Sequence, residues 1–233
     1  MAETAANLVE NLIPSIPVRQ WVISFPKRIR HYFQTDAILQ EVLRIVVEEV
    51  RKRVISCSPE VSDPKFGAIS FIQRFGTTLN LHPHFHLVVT DGVFETENGS
   101  FKFHEAFLTP DDSADTQDNI LKRVLKLFAW RGWIEKDEIE KMLTYENSGF
   151  SLDAKVRIEA WNREGLERLI RYCSRPCFAS ENLRWNGPWL IYRLPKPTHT
   201  GQTSFSSSIC AECPSATSNR SFCKSDTKKP RPP

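Results

Sequence analysis

The stretch that decides the fold is Leu79–Phe94, LNLHPHFHLVVTDGVF. Three of the six histidines in the 233-residue chain stand at alternate positions in it: His82, His84 and His86. On a β-strand, residues two positions apart project to the same face. The apolar run that follows predicts a buried strand, with Phe85 directed into the core on the opposite face. The stretch therefore predicts a core strand that presents imidazoles side by side.

Two imidazoles on one strand face, from His84 and His86, supply two ligands for a divalent metal. Two protein ligands leave coordination positions open for water or substrate oxygens, as a catalytic metal requires. Gln73, in the preceding predicted strand, is the candidate third ligand, and Asp91 is the second candidate. We expect a bend at Pro83 to separate His82 from the pair. Because His-x-His is common by chance, an ordinary polar pair is the alternative interpretation.

The flanking sequence predicts a mixture of strands and helices. Alternating polar and apolar residues predict strands at Arg19–Pro26, Pro64–Gly76, Ser151–Trp161 and Trp189–Leu194, and Asn98-Gly99 predicts a hairpin turn. Apolar residues at helical spacing predict helices from Thr35 or Asp36 to about Val54, over Ser113–Arg131, and from Asn162 to Cys173. The pattern indicates an α+β fold with a central, mostly antiparallel sheet and helices packed on it. The helices argue against a cupin jelly roll, an all-β fold that also uses His-x-His.

Composition divides the chain at about residue 194. With 40% hydrophobic and 11% aromatic residues, the chain can build a substantial core, which we expect over residues 1–194. From Pro195 onward Ser, Thr and Pro dominate, and the apolar residues lose their spacing. Residues 195–233 are therefore predicted to be a disordered tail, and its abrupt onset indicates a shifted reading frame. The three thiols of Cys210, Cys213 and Cys223 have no nearby fourth ligand, so they are a weak zinc motif.

Net charge, the absence of targeting or membrane segments, and the cysteines indicate where the protein works. The formal net charge of +3 gives no argument for nucleic-acid binding, so only local patches could. The N-terminus lacks the apolar segment of a signal peptide, and no apolar run approaches the roughly 20 residues of a membrane span. The six cysteines form no dense framework, which favours reduced thiols. We expect a cytoplasmic protein that does not bind membranes.

Three longer blocks carry a family resemblance: RQWVISFPKRIRHYF (19–33), GAISFIQRFGTTLNLHPHFHLVVTDGVF (67–94) and VRIEAWNREGLERLIRYCSRPCFASENL (156–183). Together, and in order over residues 1–194, they resemble the transposase domain of rolling-circle insertion sequences. These are HUH-type enzymes of the insertion sequence ninety-one kind, related to two-tyrosine transposases. The resemblance implies metal-dependent nicking and strand transfer. Its cofactor would be Mg²⁺ or Mn²⁺, and its partner single-stranded DNA at transposon ends and target.

The resemblance also implies roles for particular residues. His84 and His86 would be the metal pair and Tyr172 the nucleophile, which would conserve the bond energy as a 5′-phosphotyrosine. Two-tyrosine relatives carry a second tyrosine four residues earlier, where this chain has Arg168, so a single-tyrosine mechanism is implied. Arg168 and Arg171 flank Tyr172 and could hold a phosphate. Without the resemblance, a lone tyrosine on such a helix is usually a core or rim residue.

Basic residues give the candidate DNA contacts. Lys27, Arg28 and Arg30 form one cluster beside the first strand, and Arg168 and Arg171 lie near the proposed nucleophile. A second helical patch comprises Lys122, Arg123 and Lys126, with Trp130 and Trp133 available for base stacking. The alternative for each patch is an ordinary solvated helix face.

Two departures from the family set the competing hypotheses. Family members carry a cysteine-rich zinc-binding module before the region that matches the start of this chain, and they continue in ordered sequence beyond the YRL strand. We therefore expect a transposase fragment truncated at both ends. The alternatives are a catalytically inactive DNA-binding fragment, or a metal-dependent hydrolase that uses water as its nucleophile.

Overall fold

The computed structural model describes residues 2–97, 99–144 and 149–208. Its α-helices are α1 (Ala2–Asn7, continued by a π-helical turn at Leu8–Leu12), α2 (Asp36–Ser56), α3 (Pro110–Trp130), α4 (Lys136–Thr144) and α5 (Arg163–Cys173). Its strands are β1 (Val18–Ser24), β2 (Ala68–Phe75), β3 (Leu81–Thr90), β4 (Gly92–Glu97), β5 (Ser100–Glu105), β6 (Ser151–Asp153), β7 (Arg157–Ile158), β8 (Leu183–Asn186), β9 (Trp189–Arg193) and β10 (Ser204–Ser208). These residues divide into two compact units, 2–74 with 81–175 and 75–80 with 176–208.

The first unit is built on a five-stranded sheet. The strand order is β2-β3-β1-β6, and β7 also pairs with β1. β1 runs antiparallel to β3, β6 and β7, with Ser24 opposite His84 and Val18 opposite Thr90. β4 and β5 form the predicted hairpin beside this sheet. The predicted α+β fold with a mostly antiparallel sheet is confirmed, and β3 occupies an interior position in it.

Alternation along β1 and β3 gives the sheet two apolar faces. Trp21 and Ile23 of β1, with Phe85 and Leu87 of β3, are fully buried in the cluster that includes the apolar sides of α2 and α3. Val88, whose side chain points the other way, packs in a second cluster with α1 and α5. Because the strand period is two, the histidines of β3 belong to this second face. The sequence prediction for Phe85 is thus confirmed.

The strand predicted over Ser151–Trp161 is interrupted. The register sets Val22 opposite Asp153 but Arg19 opposite Arg157, so three steps along β1 face four steps on the partner. One extra residue of this kind is a β-bulge. The Asp153 side chain accepts a hydrogen bond from the Lys155 backbone N–H at 2.9 Å and stabilises the bend. A single uninterrupted strand was therefore a wrong prediction.

Helix starts follow the local capping chemistry. α3 begins at Pro110 rather than near Ser113, because Thr109 and Asp112 form a capping box around its first turn. The Asn162 side chain caps α5 as predicted, accepting from the Gly165 N–H at 2.9 Å. Both α1 and α4 escaped the sequence analysis. Among the described residues no helix has an apolar stretch long enough to cross a bilayer.

The second unit carries a three-stranded antiparallel sheet in the order β10-β9-β8. β10 pairs with β9 from Ser204 opposite Arg193 to Ser208 opposite Trp189. This strand contradicts the prediction that disorder begins at residue 195, and the expected boundary at Leu194 falls inside the unit. Backbone pairing with β9 orders a Ser-rich segment that composition alone marks as disordered. The predicted tail beyond Ser208, with its three cysteines, lies outside the described residues.

Candidate metal and tyrosine site

The two histidines of the motif stand next to each other on β3. The ring centroids of His84 and His86 are 5.2 Å apart, and both rings lie on the face of the sheet that packs against α5. His86 is only 3% exposed, whereas His84 is half-buried. The structure therefore brings the predicted pair together, with one ring reaching the protein interior and one nearer the surface.

Hydrogen bonds engage the Nδ1 atom of each ring. His84 Nδ1 lies 2.7 Å from the His82 carbonyl oxygen, and because a carbonyl only accepts, this Nδ1 carries the proton. In the neutral ring, the Nε2 atom of His84 then has a free lone pair. His86 Nδ1 lies 3.1 Å from the side-chain amide of Gln20. Its Nε2 atom is buried and has no hydrogen-bond partner among the described residues. An orphaned buried nitrogen beside a second free Nε2 fits a bound cation.

Burial keeps the His86 ring neutral. Desolvation, followed by the nearby His84, lowers the pKa of His86 to about 4. A neutral imidazole is the form that binds a metal. Burial also lowers the pKa of His82, helped by the positive charge of Arg30 and by His84. Both rings therefore stay uncharged at neutral pH.

His82 belongs to the same row of rings as the pair. Its centroid is 5.3 Å from that of His84, and β3 runs without a break through Pro83. The predicted bend at Pro83 is therefore wrong. The register with β1 ends where Ser24 faces His84, so Pro83 lies beyond the β1 ladder and its missing N–H breaks no bond of that ladder.

The two candidates for a third ligand lie in different places. Gln73 lies on β2, next to β3, and its amide N–H donates to the Cys173 carbonyl at 2.9 Å. Its amide group is thus held at the end of α5 that carries Tyr172. Asp91 follows the far end of β3, roughly 16 Å along the chain from His86 at strand spacing. Arg19 and Arg157 bind its carboxylate at 2.7 and 2.6 Å, which removes Asp91 as a ligand candidate.

Tyr172 stands beside the imidazoles. Its ring centroid is 5.6 Å from that of His86, with the two rings perpendicular at 89°. The Tyr172 side chain is 53% exposed, so a ligand in solution can reach it. Gly165 helps to fix the start of the helix, because a Cβ there would come within 2.5–2.7 Å of the Asn162 capping side chain. The structure thus gathers His84, His86 and the tyrosine of α5 at one location.

A buried polar contact that the sequence analysis missed ties α5 to the histidines. Gln20 of β1 is 6% exposed, and its amide lies 3.1 Å from His86 Nδ1 and 3.4 Å from Cys173 Sγ. Burial raises the pKa of Cys173 to about 11, so the thiol keeps its proton. The sequence does carry a signal for this contact. Gln20 stands two residues after Val18 on the same face of β1, at a position where a buried strand normally carries an apolar residue.

The cationic groups around Tyr172 differ from those expected. Arg175, which is not among the predicted cationic residues, places its guanidinium 5.8 Å from the Tyr172 ring centroid. Arg168 and Arg171 instead face Glu164 and Glu167 one helical turn back, at 3.5 and 3.7 Å. Exposed pairs of this kind are weak and open readily.

The basic cluster of Lys27, Arg28 and Arg30 lies on a 3₁₀ turn spanning Lys27–Tyr32 that packs against β3. Lys27 and Arg28 are exposed. Arg30 donates to the Phe25 carbonyl at 2.8 Å, and its burial lowers the pKa of the guanidinium. The effect of Arg30 on His82 places this cluster at the His82 end of the histidine row.

The helical patch around Arg123 is largely committed to internal contacts. Arg123 binds Glu48 and Glu49 of α2 at 2.8 and 2.5 Å, which raises the pKa of its guanidinium. Trp133 stacks on Tyr32 with ring centroids 5.0 Å apart. Trp130 remains 80% exposed. These contacts favour a helix-packing role for Arg123 over phosphate binding.

Within the described ranges, no group of three or more His, Cys, Asp or Glu side chains is placed to hold a metal. The family model described as "Putative transposase" matches residues 67–206, which contain Gln73, His84, His86 and Tyr172. The chain belongs to this transposase family. The match continues past Leu194 into β10, where the sequence analysis expected a tail. Searches of curated proteins and of solved structures give no match.

Proposed function

We propose that the protein nicks single-stranded DNA through Tyr172 and transfers the strand, as a metal-dependent transposase of the rolling-circle, insertion sequence ninety-one kind. One observation carries this proposal. The exposed ring of Tyr172 contacts His86, whose buried Nε2 has no partner among the described residues. A nucleophile beside an unsatisfied ligand atom is the arrangement that metal-assisted phosphoryl transfer needs.

The residues at this location fit a divalent cation. His84 and His86 would offer their Nε2 atoms, and Gln73 its amide oxygen, since its N–H already donates to Cys173. A bound Mg²⁺ or Mn²⁺ would neutralise charge on the non-bridging oxygens of a phosphodiester. Three protein ligands at most would leave room for those oxygens.

Tyr172 would supply the covalent step. Its phenolic oxygen forms a bond to the phosphorus while the bond from phosphorus to the 3′-oxygen breaks, and the departing 3′-oxygen takes up a proton. The product is a 5′-phosphotyrosine, and attack by a new 3′-hydroxyl reverses the step on another strand. No ATP is required, because the phosphotyrosine conserves the energy of the original bond. The guanidinium of Arg175 would place positive charge beside this phosphate.

Gln20 would position His86 for ligand binding. For Nε2 to present a lone pair, His86 must carry its proton on Nδ1, which then needs an acceptor. The Gln20 amide can rotate by half a turn and present its oxygen there, because its oxygen and nitrogen are of nearly equal size. The same oxygen then also accepts from the Cys173 thiol, which lies at hydrogen-bonding distance from this amide. The contact would couple the orientation of His86 to the end of α5.

The basic 3₁₀ turn would bind the strand on one side of the nick. Lys27 and Arg28 are exposed there, and Arg30 influences the His82 ring. Phosphate contacts from such a cluster fix position without reading sequence. The family match begins at residue 67 and does not include this turn, so its role rests on position and charge.

The test is to incubate the protein with Mn²⁺ and a labelled single-stranded oligonucleotide, then separate the products in denaturing gels. The proposal expects a covalent protein–DNA adduct that disappears in EDTA and in His84→Ala. Binding without cleavage would instead support an inactive DNA-binding fragment. Free 5′-phosphate products without an adduct would support a hydrolase that uses water.

A further inference from the structure

The sheet of the second unit has one face that carries arginine and tryptophan. Directly opposed residues of antiparallel strands share a face. Asn186 faces Trp189, Arg184 faces Ile191, and Ser204 faces Arg193. Arg184, Asn186, Trp189, Ile191 and Arg193 therefore lie together on what we call the arginine face.

The opposite face of this sheet is its apolar side. It carries Leu190, Tyr192 and Phe205, which the same register places together. Tyr192 is buried, and its ring centroid is 5.2 Å from that of Phe178. Packing covers that side around Tyr192, although Trp185 of the edge strand β8 is 66% exposed there. On the arginine face Trp189 is 44% exposed, and both of the arginines are exposed.

The charge of the arginine face is uncompensated. Within the described part of the chain, Arg184 and Arg193 form no ion pair. Arginines of the first unit, such as Arg19 and Arg157, are held by carboxylates. The sequences of β8, β9 and β10 contain no Asp or Glu. The face therefore presents positive charge that no described carboxylate neutralises, which favours a polyanionic partner.

The spacing on the face suits a nucleic-acid strand. Trp189 and Arg193 are four residues apart on β9, about 13 Å at strand spacing. Arg184 lies on the neighbouring strand, opposite the residue midway between them. A polyanion that crosses the sheet can contact both guanidiniums and the indole. An exposed indole on a sheet can stack only on an unpaired base, which favours a single strand over a duplex.

We propose that the arginine face binds single-stranded DNA, with phosphates at Arg184 and Arg193 and a base stacked on Trp189. The choice of DNA rests on the proposed function, since the charge and the indole alone indicate a single-stranded nucleic acid. The face would hold part of the substrate strand without taking part in the chemical step. This contact surface includes none of His84, His86 and Tyr172.

The test measures binding of a labelled oligodeoxythymidine to the full chain by fluorescence anisotropy. EDTA is present, so that binding is read independently of nicking. In Arg184→Ala/Arg193→Ala we expect weaker binding and a salt slope, log K against log salt, that is shallower by about two. In Trp189→Ala we expect affinity to fall about tenfold with an unchanged salt slope.

Matched controls distinguish a specific effect of the arginine face from a general loss of positive charge and from unfolding. Arg44→Ala/Arg51→Ala removes two exposed charges from α2, and Trp185→Ala removes an exposed tryptophan from the opposite face of the same hairpin. Both should bind as wild type does. Thermal melting of every variant checks the fold.

Three results of the oligonucleotide titrations would overturn the inference. These are equal losses in the test and control variants, unchanged binding in the test variants, and a wild-type chain that does not bind the oligonucleotide. An acidic peptide that competes as well as DNA would reassign the face to polyanions in general and would also overturn it. Tight binding in EDTA with no adduct in Mn²⁺ would contradict the proposed nicking function and leave this inference standing.

Discussion

Replacing Gln20 with leucine tests whether the glutamine positions His86. The substitution keeps the side-chain volume close to the original and removes both polar contacts of the amide, at 3.1 Å to His86 Nδ1 and 3.4 Å to Cys173 Sγ. Gln20 is 6% exposed, so water does not readily replace the lost acceptor. The Nδ1–H group of His86 is then buried without a partner in the tautomer that binds a cation.

The expected loss of Mn²⁺ affinity in Gln20→Leu can be worked out in two independent ways. An unsatisfied buried donor costs about 1–3 kcal/mol. Loss of the partner that orients a metal-binding histidine typically weakens metal affinity about 10–100-fold, which corresponds to about 1.4–2.8 kcal/mol. The two estimates agree. We therefore expect Gln20→Leu to weaken Mn²⁺ binding by about one to two orders of magnitude.

The assay is a Mn²⁺ titration in which the free ion is followed by electron paramagnetic resonance. Gln40→Leu is the matched control, because Gln40 is exposed on α2 and its replacement should leave the affinity unchanged. Thermal melting without metal checks that both variants fold. If folded Gln20→Leu bound Mn²⁺ as tightly as wild type, the positioning role of Gln20 would be refuted.

Two further predictions concern stability. In EDTA, unfolded His86 gains a proton near pH 6.5 and the folded form only near pH 4, so stability should fall as the pH drops through this window, by up to about 3 kcal/mol. Urea unfolding at pH 7 and pH 4.5 should show a smaller fall in His86→Gln than in wild type, and equal falls would contradict the assignment. Asp91→Ala removes the buried carboxylate that Arg19 and Arg157 share; Arg157 keeps Glu105 and Glu159, but Arg19 loses its ion pair, and the change should cost about 3 kcal/mol in urea unfolding. Asp63→Ala, at an exposed pair, should cost little, and a similar loss in both variants would refute a special role for Asp91.

Local patterns predicted the elements that carry the candidate site. Alternation in HFHLVV defines β3 and sets Phe85 opposite the histidines, because one face of an interior strand must be apolar. Asn162 and the stripe of Leu166 and Leu169 define α5 in the same way. These signals lie within a few residues of one another, so sequence alone contains them.

The contacts that complete the site join distant parts of the chain. Gln20 meets His86 and Cys173 across 66 and 153 positions, and neither separation leaves a periodic trace. The placement of Gln20 follows from tertiary packing, which a single sequence does not encode locally. Arg175 is a local exception, three positions after Tyr172 but beyond the helix end, where helical spacing no longer predicts neighbours.

Composition alone predicts disorder where the chain forms β10. Ser-rich segments lack the apolar residues that usually order a chain, yet Ser204–Ser208 pairs along β9 through backbone groups that every residue possesses. The bulge after Asp153 also leaves no signal in the local sequence pattern. A single extra residue shifts the register without disturbing the alternation on either side of it.

The most direct test of the account is to locate the covalent bond to DNA. The adduct formed with Mn²⁺ and a single-stranded oligonucleotide is digested with a protease, and the peptide that carries the nucleotide is identified by mass spectrometry. We expect the modification on Tyr172, and we expect Tyr172→Phe to form no adduct while it still binds the single strand. An adduct that persists in Tyr172→Phe, or a nucleotide on Tyr32, Tyr145 or Tyr192, would contradict the account.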